Sequence, residues 1–157
     1  MSKIAIFPGS FDPFTVGHES VVRRSLPLFD KIIIAIGYNT QKNSYLSLEG
    51  RLKLIGDVFK GEKKVEVDHY VGLTIDYCIK VNATYILRGL RTSADFEYER
   101  AIGHHNKSMK PEVETVFLLT APEYSYVTST IVRDILFYGG DASKFLPKGI
   151  NIKNYII

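Results

Sequence analysis

The hydrophobic positions of the chain form two alternating patterns. Short apolar runs rich in β-branched residues predict strands, and the longer segments between them have the three- to four-residue hydrophobic spacing of helices. The predicted strands are Ile4–Phe7, Ile32–Tyr38, Val65–Val71, Thr84–Leu87 and Val113–Leu119. The predicted helices lie at about 18–29, 47–59, 73–82 and 92–109, and a fifth lies at 128–138, after the last strand.

The strand-helix alternation predicts the fold class. The first, second and fourth strand runs are almost continuously hydrophobic, as expected of parallel strands covered on both faces. The sequence therefore predicts an α/β protein with a doubly wound, Rossmann-like, five-stranded parallel sheet and helices on both faces. A length of 157 residues fits a single domain, 1–157, with the irregular segment at about 141–157 as a C-terminal cap. Ligands of such sheets bind at the carboxyl ends of the strands.

The loop after the first strand carries the most informative residues. It reads PGSFDPFTVGH from Pro8 to His18 and leads directly into the first predicted helix. A helix N-terminus has unpaired N–H groups and attracts an anion, and Gly17 allows a close approach of backbone or ligand. His18 can direct a ring N–H at the same anion. Gly17 and His18 alone would indicate a turn with a surface imidazole, but the full string in this context indicates a nucleotide site.

Basic residues follow the second and fourth predicted strands. Lys42 lies in the loop after the second strand, where it is either a solvated surface lysine or a flexible cation that reaches a bound anion. Arg88 and Arg91 flank a glycine after the fourth strand, and paired guanidinium groups suit phosphate oxygens. The alternative is a structural ion pair with Asp95 or Glu97, which we expect for one of the two arginines but not for both.

A hydroxyl-rich segment follows the fifth predicted strand. Three consecutive hydroxyl side chains, Thr128, Ser129 and Thr130, open the last predicted helix. They can simply cap that helix, or they can form a second phosphate-binding site beside its free N–H groups.

Composition narrows the classes of function. A net charge of +3 suits small anionic substrates and is too small to indicate a nucleic-acid surface. No run has the length of a membrane span, and the first residues do not form a signal peptide. The single cysteine, Cys78, excludes an internal disulfide and is expected to be a packed, inert thiol. We therefore expect a cytoplasmic protein without nucleic-acid or membrane partners.

Several other polar residues have plain structural interpretations. Asp12 is expected to brace the first loop rather than to act as a base. His104 and His105 fall on the outer part of a helix without further ligands at metal-binding spacing, so no protein-bound metal is expected. The residues Tyr98, Ile102 and Asn106 share one helical face, and core packing is the simplest explanation of that face.

Three strings together resemble a known family. PGSFDPFTVGH at 8–18, RGLRTSADFEYE at 88–99 and VTST at 127–130 occur in the order of the T/H-x-G-H nucleotidylyltransferase superfamily. The first two are close to the forms found in the bacterial phosphopantetheine adenylyltransferase family. With the matching length, the resemblance covers nearly the whole chain.

The resemblance implies a reaction and its partners. It implies reversible transfer of AMP from ATP to 4′-phosphopantetheine, giving dephospho-coenzyme A and pyrophosphate, in coenzyme A biosynthesis. Mg²⁺ would be carried with ATP, and the protein would be a homohexamer. The phosphate monoester acceptor is already ionised near neutral pH, so the reaction needs no general base.

The resemblance also implies roles for individual residues. His18 would bind ATP and stabilise the transition state, and Lys42 and Arg91 would join it as catalytic residues. The acceptor substrate would be bound by Ser10, Lys42, Thr74 and Arg88. The helical face of Tyr98, Ile102 and Asn106 would border the pantetheine pocket. ATP would be bound by Ser10, Phe11, His18, Gly89, Leu90, Arg91, Glu99, Tyr124, Ser125, Tyr126, Val127, Thr128, Ser129 and Thr130.

The sequence departs from the family pattern at four positions. Ser10 stands where threonine is common and Val16 where asparagine is frequent. Tyr124 replaces a frequent tryptophan, and Thr74 replaces larger apolar residues. The residues leave two other functions open. The first is that of another superfamily member with a different acceptor, such as nicotinamide mononucleotide, glycerol phosphate or phosphocholine. The second is a non-catalytic nucleotide sensor, which would be expected to lack His18 or the arginines at 88 and 91.

Overall fold

A parallel sheet of five strands forms the centre of the computed structural model, which describes residues 1–157. The strand order is β3-β2-β1-β4-β5, and every neighbouring pair is parallel. The predicted fold is therefore confirmed. The strands are β1 (Ile4–Gly9), β2 (Lys31–Gly37), β3 (Val65–Tyr70), β4 (Tyr85–Leu90) and β5 (Glu114–Leu119).

Two strands are longer than the hydrophobic pattern predicted. β1 continues through Pro8 and Gly9, and β4 continues through Arg88 to Leu90. The prediction that Arg88 follows the fourth strand is therefore wrong, because parallel pairing with β5 extends to Leu90. Backbone pairing continues where the side chains are no longer apolar, so hydrophobicity alone sets the strand end too early.

Five α-helices cover the sheet. They are α1 (Val16–Ser25), α2 (Leu48–Val58), α3 (Thr74–Lys80), α4 (Ser93–Met109) and α5 (Ser129–Phe137). The first is shorter than predicted, because the chain continues as a 3₁₀ turn containing Pro27, which lacks the N–H that an α-helix needs. Hydroxyl side chains accept a hydrogen bond from the first turn of four helices, at Thr15, Ser47, Thr92 and Thr128.

The hydrophobic core lies on both faces of the sheet. Along β2, Ile32, Ile34 and Ile36 pack into the larger apolar cluster, while Ile33 and Ala35 pack into the smaller one. The larger cluster includes residues of α1, α2 and α5, and the smaller includes residues of α3. The continuous hydrophobic runs thus reflect burial on both faces, as the sequence indicated.

The C-terminal segment completes the larger cluster. It contains two short 3₁₀ turns, Ser143–Phe145 and Ile152–Tyr155, and places Leu146 among the buried residues. The Tyr155 hydroxyl donates a hydrogen bond to Asp57 at 2.8 Å, which fastens the end of the chain to α2. None of the helices has both the length and the apolarity needed to cross a bilayer.

Cys78 is fully buried in the smaller cluster. Burial raises the pKa of its thiol to about 12, so the thiolate is not populated near neutral pH. The prediction of a packed, inert cysteine is confirmed.

A crevice opens where the strand order reverses. β1 pairs with β2 along its whole length, Ile4 to Gly9, but with β4 only at Ala5 and Ile6. The carboxyl ends of β1 and β4 therefore diverge. In open α/β sheets this is the place where ligands bind.

Candidate active site

The crevice between β1 and β4 is a cavity of about 380 Å³. Its wall is built from the loop after β1, the start of α1, the end of β4 and the start of α5. Most of the residues that the resemblance implied for the site line it. These are Ser10, Phe11, His18, Lys42, Arg88, Gly89, Arg91, Glu99, Tyr124, Val127, Thr128, Ser129 and Thr130.

His18 has a fixed orientation and a fixed tautomer. The backbone N–H of Thr15 donates to Nδ1 of His18 at 3.0 Å, and the Thr15 hydroxyl accepts from the His18 backbone N–H at 3.4 Å. These two bonds form a capping box at the start of α1. Because Nδ1 accepts a hydrogen bond, the ring proton lies on Nε2. The ring is also packed against three phenylalanines, Phe7, Phe11 and Phe14.

The imidazole of His18 is neutral at physiological pH. Burial, and next the positive charges of Arg88 and Arg91, lower the pKa of His18 from 6.5 to about 3. A neutral ring with the proton on Nε2 is a hydrogen-bond donor that carries no charge of its own. In the free protein it therefore does not titrate between pH 5 and 8.

The lowered pKa of His18 predicts an acid-sensitive fold. Between pH 6.5 and about 3 the unfolded chain binds a proton at His18 that the folded chain does not, so stability falls as pH falls. The slope from this group is at most about 1.4 kcal/mol per pH unit. Urea unfolding at pH 7, 6, 5 and 4 should show the wild type losing stability faster than His18→Asn. A difference between the two proteins that is independent of pH would contradict a neutral His18.

Arg88 is held from two sides. Its Nε and Nη2 donate to the Glu99 carboxylate at 2.8 and 2.5 Å, and its Nη1 donates to the Pro8 carbonyl at 2.6 Å. Glu99 is buried, with 8% of its surface exposed. This bidentate pair places the Arg88 guanidinium at the meeting point of β1, β4 and α4.

Arg91 also has a carboxylate partner. Its Nε donates to Asp95 at 3.1 Å. The prediction that only one arginine would be paired is therefore wrong, and the partner of Arg88 is Glu99 rather than Asp95 or Glu97. The reason is helical geometry: α4 begins directly after β4, so Asp95 and Glu99, four residues apart, both face the end of that strand.

Lys42 differs from these two arginines. It is exposed in the loop after β2, lines the cavity and takes part in no ion pair. Its ammonium group is therefore free to reach an anion in the cavity.

A second cavity of about 280 Å³ adjoins the first. Thr74 lies in it, and its hydroxyl is hydrogen bonded to Tyr70 at 2.7 Å. The two cavities share one wall, which we call the common wall. It consists of Pro8, Gly9, Ser10, Arg88 and Glu99.

One face of α4 lines the second cavity. Tyr98, Ile102 and Asn106 lie on this face, and Tyr98 is 70% exposed. The expectation of core packing for these residues is therefore wrong. Helical spacing shows which side chains share a face, but not whether another element covers that face.

Three residues that the resemblance implied for ATP binding lie outside both cavities. Leu90 is buried at the end of β4, and neither Ser125 nor Tyr126 lines a cavity. Tyr126 is 66% exposed and its ring packs edge-on against Phe145.

The end of β1 and the loop that follows it are held by side chains from three other elements. Besides the Arg88 bond to Pro8, Arg51 of α2 donates to the Ser10 carbonyl at 2.9 Å. From α5, Arg133 donates to the Asp12 carbonyl at 2.7 Å and the Ser129 hydroxyl to the Pro13 carbonyl at 2.9 Å. The loop carbonyls are thus occupied by donors of the protein itself, and the loop is fixed before any ligand binds.

Arg51 and Arg133 were not found by sequence reasoning. Both bind backbone carbonyl groups, which every residue has, so no complementary side chain marks them. The only available signal is spacing, since Arg51 lies four residues after the helix cap Ser47 and Arg133 four residues after Ser129.

The hydroxyls at the start of α5 have separate partners. Thr128 caps the helix by accepting from the Ile131 N–H at 3.2 Å, so the capping interpretation is confirmed for this residue. Ser129 binds the loop, and Thr130 accepts from Arg133 at 3.2 Å. All three nevertheless line the larger cavity.

Asp12 braces the loop, as predicted. Its two carboxylate oxygens accept from the backbone N–H groups of Tyr45 and Leu46 at 2.7 and 2.8 Å, and the residue is 5% exposed.

Asp12→Asn should therefore lower the free energy of unfolding by about 1–3 kcal/mol, because the new NH₂ group would face a backbone N–H in a buried place. Urea unfolding measures the loss. The matched control is Asp30→Asn, which also removes a carboxylate that accepts from a backbone N–H, that of Lys3 at 2.7 Å, but on the surface. Equal losses for the two variants would contradict the bracing role.

The geometry defines a class of protein. A helix N-terminus at the switch point of a parallel sheet, a neutral histidine donor and several cations around one crevice are typical of α/β proteins that act on nucleotide phosphates. Comparison with known proteins supports the same class. Residues 6–135 match the cytidylyltransferase-like family.

Relatives that match over nearly the whole chain indicate the family more narrowly than the family model does. Phosphopantetheine adenylyltransferase of Flavobacterium psychrophilum is 53% identical over 95% of this chain and 98% of its own. That of Bacteroides fragilis is 47% identical over 94% of this chain and 98% of its own. The bifunctional NMN adenylyltransferase/ADP ribose pyrophosphatase of Francisella tularensis has a similar fold, with a TM-score of 0.72 and 20% identity over 96% of this chain and 46% of its own.

The chain therefore belongs to the cytidylyltransferase-like family and, within it, to the phosphopantetheine adenylyltransferases. The family that the three strings indicated is confirmed.

Proposed function

We propose that the protein transfers AMP from ATP to 4′-phosphopantetheine, giving dephospho-coenzyme A and pyrophosphate, as a reversible step of coenzyme A biosynthesis. The observation that carries this proposal is the common wall: two cavities, one rich in cations and hydroxyls, meet at a single arginine. Such an arrangement brings two phosphorylated substrates together at one point. The names of the whole-chain relatives support the same reaction.

Each substrate has a cavity that suits it. ATP would occupy the larger cavity, with its phosphates at the N-termini of α1 and α5 and beside the Nε2–H of His18. The arm of the acceptor would occupy the smaller cavity past Thr74, with its phosphate at the common wall. There Arg88 would neutralise its charge, and Lys42 would reach it from the loop after β2.

The chemistry would be an in-line displacement. An oxygen of the acceptor phosphate attacks the α-phosphorus of ATP, a new P–O bond forms, and the bond between the α-phosphorus and the bridging oxygen breaks to release pyrophosphate. No base is required, because the attacking phosphate is already ionised. The cavity carboxylates agree with this, since Asp12, Asp95 and Glu99 are all engaged by hydrogen-bond donors. The protein would act by orientation and by neutralising charge.

Magnesium would enter as part of the substrate, bound to ATP. Phosphate oxygens and water are ordinary Mg²⁺ ligands, so few protein ligands are needed. The structure has no group of three histidine, cysteine or carboxylate side chains placed to hold a metal ion.

We also propose a cytoplasmic homohexamer. Large apolar side chains on the surface support an assembly: Phe137 and Tyr138 at the end of α5 are 69% and 92% exposed. Sedimentation equilibrium of the purified protein would give the mass of the assembly directly.

A panel of acceptors tests the reaction. The protein is incubated with Mg²⁺, either ATP or CTP, and 4′-phosphopantetheine, nicotinamide mononucleotide, glycerol phosphate or phosphocholine, and pyrophosphate release is measured. We expect release only with ATP and 4′-phosphopantetheine. Release with another acceptor would replace the proposed substrate, and no release with any acceptor would favour a nucleotide sensor.

Pantetheine tests the base-free mechanism. Without its phosphate the acceptor offers only a hydroxyl, a poor nucleophile unless a base takes its proton. We expect pantetheine to be almost inert, whereas dephospho-coenzyme A and pyrophosphate should readily form ATP. Efficient transfer of AMP to pantetheine, or no reverse reaction, would overturn the mechanism.

A further inference from the structure

Arg51 is the basic residue that the fold buries. Only 5% of it is exposed, yet it belongs to none of the ion pairs of the structure. Burial lowers the pKa of its guanidinium, and the charge of Asp12 offsets part of this effect. The Asp12 carboxylate nevertheless accepts its hydrogen bonds from backbone N–H groups and not from Arg51. A buried cation without a bound carboxylate is costly for the fold, so its own hydrogen bonds carry unusual weight.

The guanidinium of Arg51 holds the peptide group between Ser10 and Phe11. Its Nη1 donates to the Ser10 carbonyl at 2.9 Å, and its Nε donates to the carbonyl of the helix cap Ser47 at 3.4 Å. Arg51 lines neither cavity, whereas Ser10 lines both and Phe11 lines the larger one. The donor that holds this peptide therefore lies outside both cavities.

The orientation of this peptide decides which of its polar groups faces the larger cavity. The bond between Ser10 and Phe11 is trans, and in a trans peptide the carbonyl and the N–H point in opposite directions. Because the Ser10 carbonyl points at Arg51, the Phe11 N–H points away from it. That N–H forms no hydrogen bond with another backbone group, so it is free for a phosphate oxygen.

The backbone of Phe11 needs such a hold. Its φ is 50°, in the left-handed region that residues with a Cβ rarely adopt. The other non-glycine residue in that region is Asn82, which directly follows the end of α3, where asparagine is common. Rotating the Ser10–Phe11 peptide by half a turn would return φ of Phe11 to a negative value. The same rotation would replace the Phe11 N–H by the Ser10 carbonyl, and the hydrogen bond from Arg51 opposes it.

We propose that Arg51 is a positioning residue for the reaction, which fixes the Ser10–Phe11 peptide so that the Phe11 N–H, rather than a carbonyl oxygen, faces the nucleotide phosphates. This inference rests on the proposed function. A carbonyl dipole in that place would repel a phosphate, whereas an N–H fixed in advance stabilises negative charge there. The Phe11 ring also packs edge-on against the His18 ring, with centroids 5.0 Å apart, so a rotated peptide would disturb that imidazole as well.

A purely structural role is the alternative, in which Arg51 only ties α2 to the loop. Arg51→Met removes the charge and the donors, and Arg51→Gln is a second neutral variant in case the first does not fold. Arg51→Lys retains a positive charge. The matched control is Tyr155→Phe, which removes a hydrogen bond to Asp57 of the same helix, away from both cavities.

The experiment measures the peptide and the affinity separately. Crystal structures of the ligand-free variants give φ of Phe11, and calorimetric titration with ATP and Mg²⁺ gives the affinity. In Arg51→Met we expect a negative φ at Phe11 and an affinity for ATP about 10- to 100-fold weaker, the range for a hydrogen bond to a charged group. Arg51→Lys should recover part of the affinity. Tyr155→Phe should retain both the positive φ and the affinity, even where urea unfolding shows that it is less stable.

A positive φ at Phe11 in the neutral variants, or an unchanged affinity for ATP, would overturn the inference. An equal loss of affinity in Tyr155→Phe would also do so, because that variant disturbs only the packing of α2. Failure of the proposed function looks different. A wild-type protein that binds ATP but fails to use 4′-phosphopantetheine would overturn the proposed acceptor, and a rotated peptide with weaker ATP binding in Arg51→Met would still support the role of Arg51.

Discussion

Replacing His18 by alanine should lower kcat about 100- to 1,000-fold, the cost of removing one preorganised donor from a transition state. The structure gives the reason. The Thr15 N–H holds Nδ1, three phenylalanine rings hold the imidazole plane, and the proton on Nε2 is left for a phosphate oxygen. ATP affinity should change little, because the bond strengthens as charge develops. Single-turnover kinetics and ATP titration measure the two quantities separately.

Two isosteric variants distinguish the ring nitrogens of His18. The amide of His18→Asn lies near the position of Nδ1 and can still accept from Thr15, but it provides no donor at the position of Nε2. The amide of His18→Gln reaches towards Nε2 and can donate there. We therefore expect glutamine to retain more turnover than asparagine. Near-normal turnover of the asparagine variant would remove the Nε2–H from the mechanism.

Arg88→Ala should weaken 4′-phosphopantetheine about 10- to 100-fold and weaken ATP less, because the guanidinium is the main cation of the common wall. It should also lower the free energy of unfolding by about 1–3 kcal/mol, since the buried Glu99 carboxylate loses its partner. Calorimetric titration of both substrates and urea unfolding give the two losses. Equal losses of affinity for the two substrates would instead assign Arg88 to ATP.

Two further variants separate binding from stability at the common wall. Arg88→Met combined with Glu99→Leu removes both charges. Compared with Arg88→Ala, this double variant should recover most of the free energy of unfolding but not the affinity for the acceptor. Lys42→Ala removes an exposed cation without an ion-pair partner, so it should weaken the acceptor at unchanged stability. Recovery of acceptor affinity in the double variant would contradict a direct role for Arg88.

The sequence predicted the sheet well because its central strands are buried on both faces. The hydrophobic runs of β1 and β2 are best explained by burial on both faces of a sheet. The helices between the strands follow from the three- to four-residue spacing of their hydrophobic positions. The strand ends were predicted less well, because Arg88 continues β4 through backbone pairing that no side-chain pattern reveals. Tyr98 shows the same limit on a helix, where spacing defines a face but not its environment.

The site was predictable where it depends on local sequence and not where it depends on tertiary contacts. His18 follows from its place in the loop and at the start of α1, whose cap is a local feature. The Arg88–Glu99 pair depends on how α4 crosses β4, and the Arg133 contact joins residues separated by 121 positions. Neither contact leaves a pattern in a short window of sequence.

The common wall has a consequence for the thermodynamics of binding. If two anionic substrates meet at Arg88, one guanidinium partly neutralises both, and each substrate lowers the affinity of the other. Such coupling is reciprocal, so the factor is the same whichever substrate binds first. Dephospho-coenzyme A would span both cavities as one molecule, with the two phosphates joined in one diphosphate bridge, and it would avoid much of this penalty. The same wall would thus disfavour double occupancy by separate substrates relative to occupancy by their joined product.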